Sequence, residues 1–163
     1  MPNFFQDLIE ELQQEVGCYR DLLKLLVAQK EILISGKLEG LQENVRQQEK
    51  IMFSLSPMAE LRQKSLEGVG KSLGLKKSTV ADVAGRLPEE QSELLRATVK
   101  ELLGTVHDLD VVYKTNGQLL ENAQAYTKFT MEAMKGTATI RPGDPAQVQV
   151  ERSREVGGFN QTV

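Results

Sequence analysis

The 163-residue sequence has no tryptophan, one cysteine, one histidine and only 5% aromatic residues. Each scarcity removes a class of protein. With Cys18 alone no intramolecular disulfide can form, and a free thiol fits a reducing compartment. With so few rings there is little material for an aromatic-lined ligand pocket or a β-sandwich core. The 40% of hydrophobic residues suits Leu-rich helix packing instead. Positive charge is not concentrated. Lys and Arg number 20 against 23 Asp and Glu, and no basic block occurs, so there is no electrostatic case for nucleic acid. No run approaches the roughly 18 apolar residues of a membrane span. The opening MPNFFQDLIEEL lacks the basic region and apolar core of a secretory signal. A soluble, cytoplasmic chain without direct membrane insertion is expected.

What the sequence does have is helical periodicity. From Leu95, apolar residues recur at alternating steps of four and three: Val99, Leu102, Val106, Leu109, Tyr113, Asn116, Leu120 and Ala123, with Asn116 the one polar member. A second row, Val112, Leu119 and Tyr126, lies beside it, so the stripe is wider than a two-stranded seam needs. Near the N-terminus the same rhythm gives Phe5, Ile9, Leu12, Val16, Tyr19, Leu23, Leu26, Lys30 and Leu33. Between them run Leu38, Leu41, Val45, Gln48, Met52, Leu55, Ala59, Arg62, Leu66 and Val69.

The breaks divide these patterns into helices over about residues 3–34, 38–69 and 89–135, with a short helix near 79–85. Asn3 is placed to cap the first, and Gly36 to stop it. Pro57 falls inside the second pattern. It removes a backbone donor, so the helix either kinks there or restarts with Ser56 as cap. The unbroken apolar register favours a kink or tight restart over a loop. Gly68, Gly70 and Gly74 read as the end of this helix. Thr79 or Ser78 caps the short helix, and Pro88-Glu89-Glu90 opens the last long one. The fold class is therefore all-α. The expected form is an elongated antiparallel three-helix bundle or coiled coil over residues 1–135. The same heptads also suit a homodimer or larger homo-oligomer. Residues 136–163, rich in Gly, Pro, Thr and Gln, are expected to form a flexible tail.

Few residues point to chemistry. Gly70-Lys71-Ser72 matches the end of a phosphate-binding loop, but the first glycine would fall at Ser65 and a helix, not a strand, precedes it. His107 has no evident nucleophile or pocket beside it. Asp108 and Asp110 lack the Glu-x-x-His partner of di-iron bundles. Cys18 has no cation on its own helix face to lower its pKa. No enzymatic activity, metal or cofactor is expected.

Asn116 and the helix end beyond it stand out. A polar residue in a seam fixes register or marks where the intramolecular core ends. Past it lie Leu119, Leu120, Ala123, Tyr126, Phe129, Met131 and Met134. Methionines and aromatics on a helix end adapt to varied apolar partners. Packing on the first helix or on a second copy is the alternative that pattern leaves open.

Three stretches resemble one family. ILISGKLEGLQENVRQQEKI is similar to the junction after the first helix of FlgN-type flagellar export chaperones. SLGLKKSTVADVAGRL resembles that family's LGL turn and short helix, and VVYKTNGQLLENAQAYTKFTMEAM its C-terminal N-x-x-L-L-x-x-A-x-x-Y region. The resemblance runs in order over about residues 5–135. It implies a chaperone that binds the C-terminal segments of hook-associated proteins, prevents their premature association and delivers them to the cytoplasmic component of the export gate. On that footing the client and gate residues are Asn116, Leu119, Leu120, Ala123, Tyr126, Phe129, Met131 and Met134, with Tyr126 the best gate contact. Gly117 departs from the helix-favouring residues of that region. A structural coiled-coil adaptor that homo-oligomerises through the same stripes is the alternative.

Overall fold

In the computed structural model, which describes residues 3–136, the chain forms four helices: α1 (Phe4–Ser35), α2 (Leu41–Ser72), α3 (Val80–Arg86) and α4 (Glu89–Met134). No strand occurs among the described residues. The expected tail 136–163 lies outside them apart from Gly136.

Local chemistry sets each boundary. The Asn3 side chain accepts from the Gln6 amide at 3.2 Å, and Asp7 adds negative charge to the first turn of α1. Gly36 at φ 70° ends α1 in the left-handed conformation. A second left-handed residue, Gly40 at φ 83°, precedes α2, whose start is three residues later than the apolar pattern alone places it. Thr79 caps α3 by accepting from the Asp82 amide. Pro88 leads into α4, with Glu89 and Glu90 in its first turn. α4 continues unbroken through Gly117 to a length of 46 residues, roughly 69 Å at ~1.5 Å per residue.

Pro57 neither splits α2 nor starts a new helix; it sits inside it. Its missing N–H leaves the Phe53 carbonyl without a helical donor. Both Phe53 and Pro57 are exposed residues. Gly68 and Gly70 also lie inside α2 rather than ending it. A Cβ at Gly68 would sit 2.5 Å from the Phe4 ring, and one at Gly70 would sit 1.9 Å from Ser78 Oγ. These glycines admit neighbours. The stop is at Gly74, φ 71°, where the Leu75 amide reaches back to the Gly70 carbonyl at 2.9 Å.

α1 is the central helix. α2 returns along it antiparallel: Met58 lies against Cys18, Arg62 against Glu15, and Asn44 against Leu25. α4 packs on α1 in the same direction, with Asn116 at the level of Leu26 and Gln29, and Leu120 near Leu33. α2 and α4 make no close backbone approach to each other, and α3 touches both. Antiparallel pairing therefore holds for α1 with α2, while α4 lies parallel on α1. The short α3 carries the chain across from one side of α1 to the other.

A helix packed on two sides needs two buried rows. α1 buries Ile9, Val16 and Tyr19 of the expected stripe, and also a row at strict seven-residue spacing: Leu8, Glu15, Leu22 and Gln29. Leu12 and Leu26 lie between the rows. Leu66 and Val69 of α2, Val83 and Ala84 of α3, and Leu95, Leu102 and Leu109 of α4 complete the core. Thr98 and Thr105, also buried, return their hydroxyls to the Leu94 and Glu101 carbonyls.

Candidate binding groove

α4 outlasts its partner. With Asn116 opposite Leu26 and Gln29, α1 ends where α4 has reached about residue 124, and the last ten or so residues of α4 run on alone. There the corner between α1 and α2 approaches α4. Two left-handed glycines, Gly36 and Gly40, turn the backbone so that Leu38 and Leu41 follow Leu33 onto one wall. Leu120, Ala123 and Met131 of α4 form the other. The result is an open groove of about 510 Å³, apolar inside and rimmed by Gln124, Thr127, Lys128, Glu132 and Lys135.

Immediately before the groove the core turns polar. Asn116, 2% exposed, donates through Nδ2 to the Leu26 carbonyl at 2.8 Å and to Gln29 Oε1 at 3.0 Å. Asn44 of α2, also buried, donates to the Leu25 carbonyl at 2.8 Å and accepts from Gln48 at 2.6 Å. These bonds hold α2 and α4 to one level of α1 and so set the separation of the groove walls.

The eight residues singled out from sequence do not share one surface. Leu120, Ala123 and Met131 line the groove. Asn116 lies in the core, its donor atom spent on α1, and offers no contact surface in this conformation. The reason is its place in the heptad row of Leu95, Leu102 and Leu109. Tyr126 is 63% exposed and points about 100° away from Thr127 around the helix. Leu119 lies seven residues before Tyr126 on the same face and is half-buried. Phe129 is half-buried off the groove, and Met134 is exposed at the helix end. Sequence reasoning missed the second wall. Leu33, Leu38 and Leu41 were legible as stripe residues, but nothing in the spacing brings that corner to α4.

Other candidates resolve into structural roles. Gly70, Lys71 and Ser72 are the last three residues of α2, and Ser72 Oγ donates to the Val69 carbonyl at 2.6 Å. A helix C-terminus presents carbonyls and negative dipole, which disfavours phosphate. Cys18 Sγ lies 3.7 Å from Met58 Sδ in the α1–α2 interface. His107 is exposed. Among the described residues no His, Cys, Asp and Glu cluster is arranged to hold a metal ion, and no helix is long and apolar enough to cross a membrane.

Among the described residues, the Glu15 carboxyl is buried on the far side of the polar layer. Glu15 is 2% exposed, and its Oε1 lies 2.9 Å from Arg62 Nε. The N–H is not aligned on that oxygen, so the contact is an ion pair rather than a well-formed hydrogen bond. Burial holds the Glu15 carboxyl above its ordinary value; Arg62 opposes the shift and Glu11 adds to it.

The site thus offers apolar, helix-sized recognition beside an exposed aromatic face. A family model described as FlgN protein matches residues 1–141. No curated protein and no solved structure matches the chain.

Proposed function

The chain belongs to the FlgN family of flagellar chaperones, and from that premise we propose that it binds the C-terminal segments of hook-associated proteins in the α1–α2–α4 groove. In the cytoplasm it keeps those segments from associating early and delivers them to the export gate.

The observation that supports this reading is the open apolar groove where α4 runs past the end of α1. An amphipathic client helix laid against Leu38, Leu120 and Met131 buries its apolar face there. A standard interface covers ~800 Å² per partner. A client that orders only on binding loses part of that gain, which keeps the complex reversible. Reversibility is what a carrier needs. Tyr126 faces away from the groove, so a loaded chaperone still presents an aromatic residue to a second partner. We assign that face, with Leu119, to the export gate.

The test is co-purification of the full chain with C-terminal segments of hook-associated proteins. The reading predicts a complex that Leu120→Glu abolishes and Tyr126→Ala leaves intact, with Tyr126→Ala impairing export. If no segment binds, and light scattering shows a stable oligomer that buries the end of α4, the chain is a coiled-coil adaptor instead.

A further inference from the structure

The groove has an immediate neighbour within the chain. α4 ends at Met134, Lys135 lines the groove, and Gly136 at φ 70° turns the backbone out of the helix at the groove's edge. Residues 137–163 follow, outside the described part of the chain. From Lys135 to Leu120 the groove is about 22 Å long at ~1.5 Å per residue. A segment of this length spans about 29 Å even at random-coil dimensions. Reach is therefore no obstacle.

Its sequence suits the site. Ile140, Val148 and Val150 are apolar, and Val148 and Val150 fall on one side of an extended backbone. Pro142 and Pro145 each lack the backbone N–H that a continuing helix needs, and proline favours extended backbone. The facing surface is lined by Leu38, Leu120 and Met131, and both Leu38 and Met131 are exposed. Attachment at Gly136 gives the segment an effective concentration on the millimolar scale. Weak apolar contacts suffice at that concentration, where a free peptide of the same affinity would stay unbound.

We propose that residues 140–150 occupy the groove when no client is bound, with Ile140, Val148 and Val150 against Leu38, Leu120 and Met131. The segment is then a tethered competitor. It covers the apolar walls in the empty chaperone and is displaced on loading. Only the regulatory consequence rests on the groove being the client site; occupancy of the groove by the segment does not.

The experiment uses the full chain with a benzophenone amino acid in place of Leu38. Irradiation at several protein concentrations, followed by peptide mapping, reads what lies against the wall. The expected result is cross-linking within one chain to residues 140–150, at a yield independent of concentration. The full-length variant Ile140→Asp, Val148→Asp, Val150→Asp should lose that cross-link while keeping the wild-type unfolding midpoint. Cross-links that avoid residues 137–163, or that join two chains with a yield rising with concentration, overturn the proposal. In a second arm, a C-terminal peptide of a hook-associated protein is titrated into both proteins. Binding about tenfold tighter to the triple variant is expected if the segment fills the groove ~90% of the time. Equal binding overturns the regulatory role. If the peptide binds neither protein, it is the client reading that fails, and the cross-link alone decides the occupant.

Discussion

Asn44 and Asn116 reach α1 from its two neighbouring helices and donate to the carbonyls of adjacent residues, Leu25 and Leu26, each at 2.8 Å. A buried amide that misses its partner carries a desolvation cost, so each asparagine tolerates one axial position of its helix. Together they fix the register of α2 and α4 against α1 just below the groove. These polar contacts add register to the apolar packing that builds the groove walls.

Asn116→Ala removes both bonds, leaves the buried Gln29 without its amide donor and opens a cavity. The expected cost is about 2–4 kcal/mol by chemical denaturation. The double variant Asn116→Leu, Gln29→Leu should recover most of that stability, because no buried polar group is then left unpaired. It should still bind client more weakly, since register is no longer specified.

The Glu15–Arg62 pair predicts a pH dependence of definite sign. Burial raises the folded-state pKa of Glu15 above its ordinary 4.5, so the folded state holds this proton more tightly than the unfolded chain. The contribution is full below pH 4.5 and is lost as pH rises through the raised folded-state value. Glu15→Gln should remove this loss, so its advantage over wild type grows with pH across that window in thermal melts. Arg62→Leu leaves the buried carboxyl unopposed and should destabilise at neutral pH, by at most the ~3–5 kcal/mol of a broken, fully buried pair. Glu15→Leu with Arg62→Leu should be neutral or stabilising.

Glycines inside the helices divide by what faces them. Gly70→Ala drives a methyl into Ser78 Oγ and should lower the melting temperature, with Ser78→Gly restoring much of it. Gly104→Ala meets nothing within 4 Å in the middle of α4 and should stabilise by about 1 kcal/mol. Differential scanning calorimetry of these variants separates close approach from mere helix propensity.

Much of this architecture was legible in the sequence, and the misses share a cause. Asn3, Gly36 and the Ser78-Thr79 pair are legible through capping chemistry, with Thr79 the residue that caps, and the 3.5-residue rhythm of Leu95, Leu102 and Leu109 draws α4. The second buried row of α1 went unseen because Glu15 and Gln29 interrupt it. An apolar pattern cannot register a polar residue whose partner lies on another helix. Gly68 and Gly70 read as a stop because φ and close approach leave the same letter in the sequence. The groove's far wall was invisible for a topological reason. Leu33, Leu38 and Leu41 meet Leu120 and Met131 only because α4 lies parallel to α1, and nothing local encodes that direction. Asn116 stands out in the sequence as the polar member of its stripe, but its partners, Leu26 and Gln29, make it part of the frame and not of the surface.

The central claim is that the groove at the end of α4 takes the client. It is tested most directly by calorimetric titration of a hook-associated C-terminal peptide into the full chain and into two single variants. Leu120→Glu puts a charge inside the groove, and Leu103→Glu puts one on an exposed position outside it. The account predicts at least about a tenfold loss of affinity for Leu120→Glu, roughly 1.4 kcal/mol or more, with Leu103→Glu binding as wild type. Undiminished binding by a folded Leu120→Glu protein would contradict it.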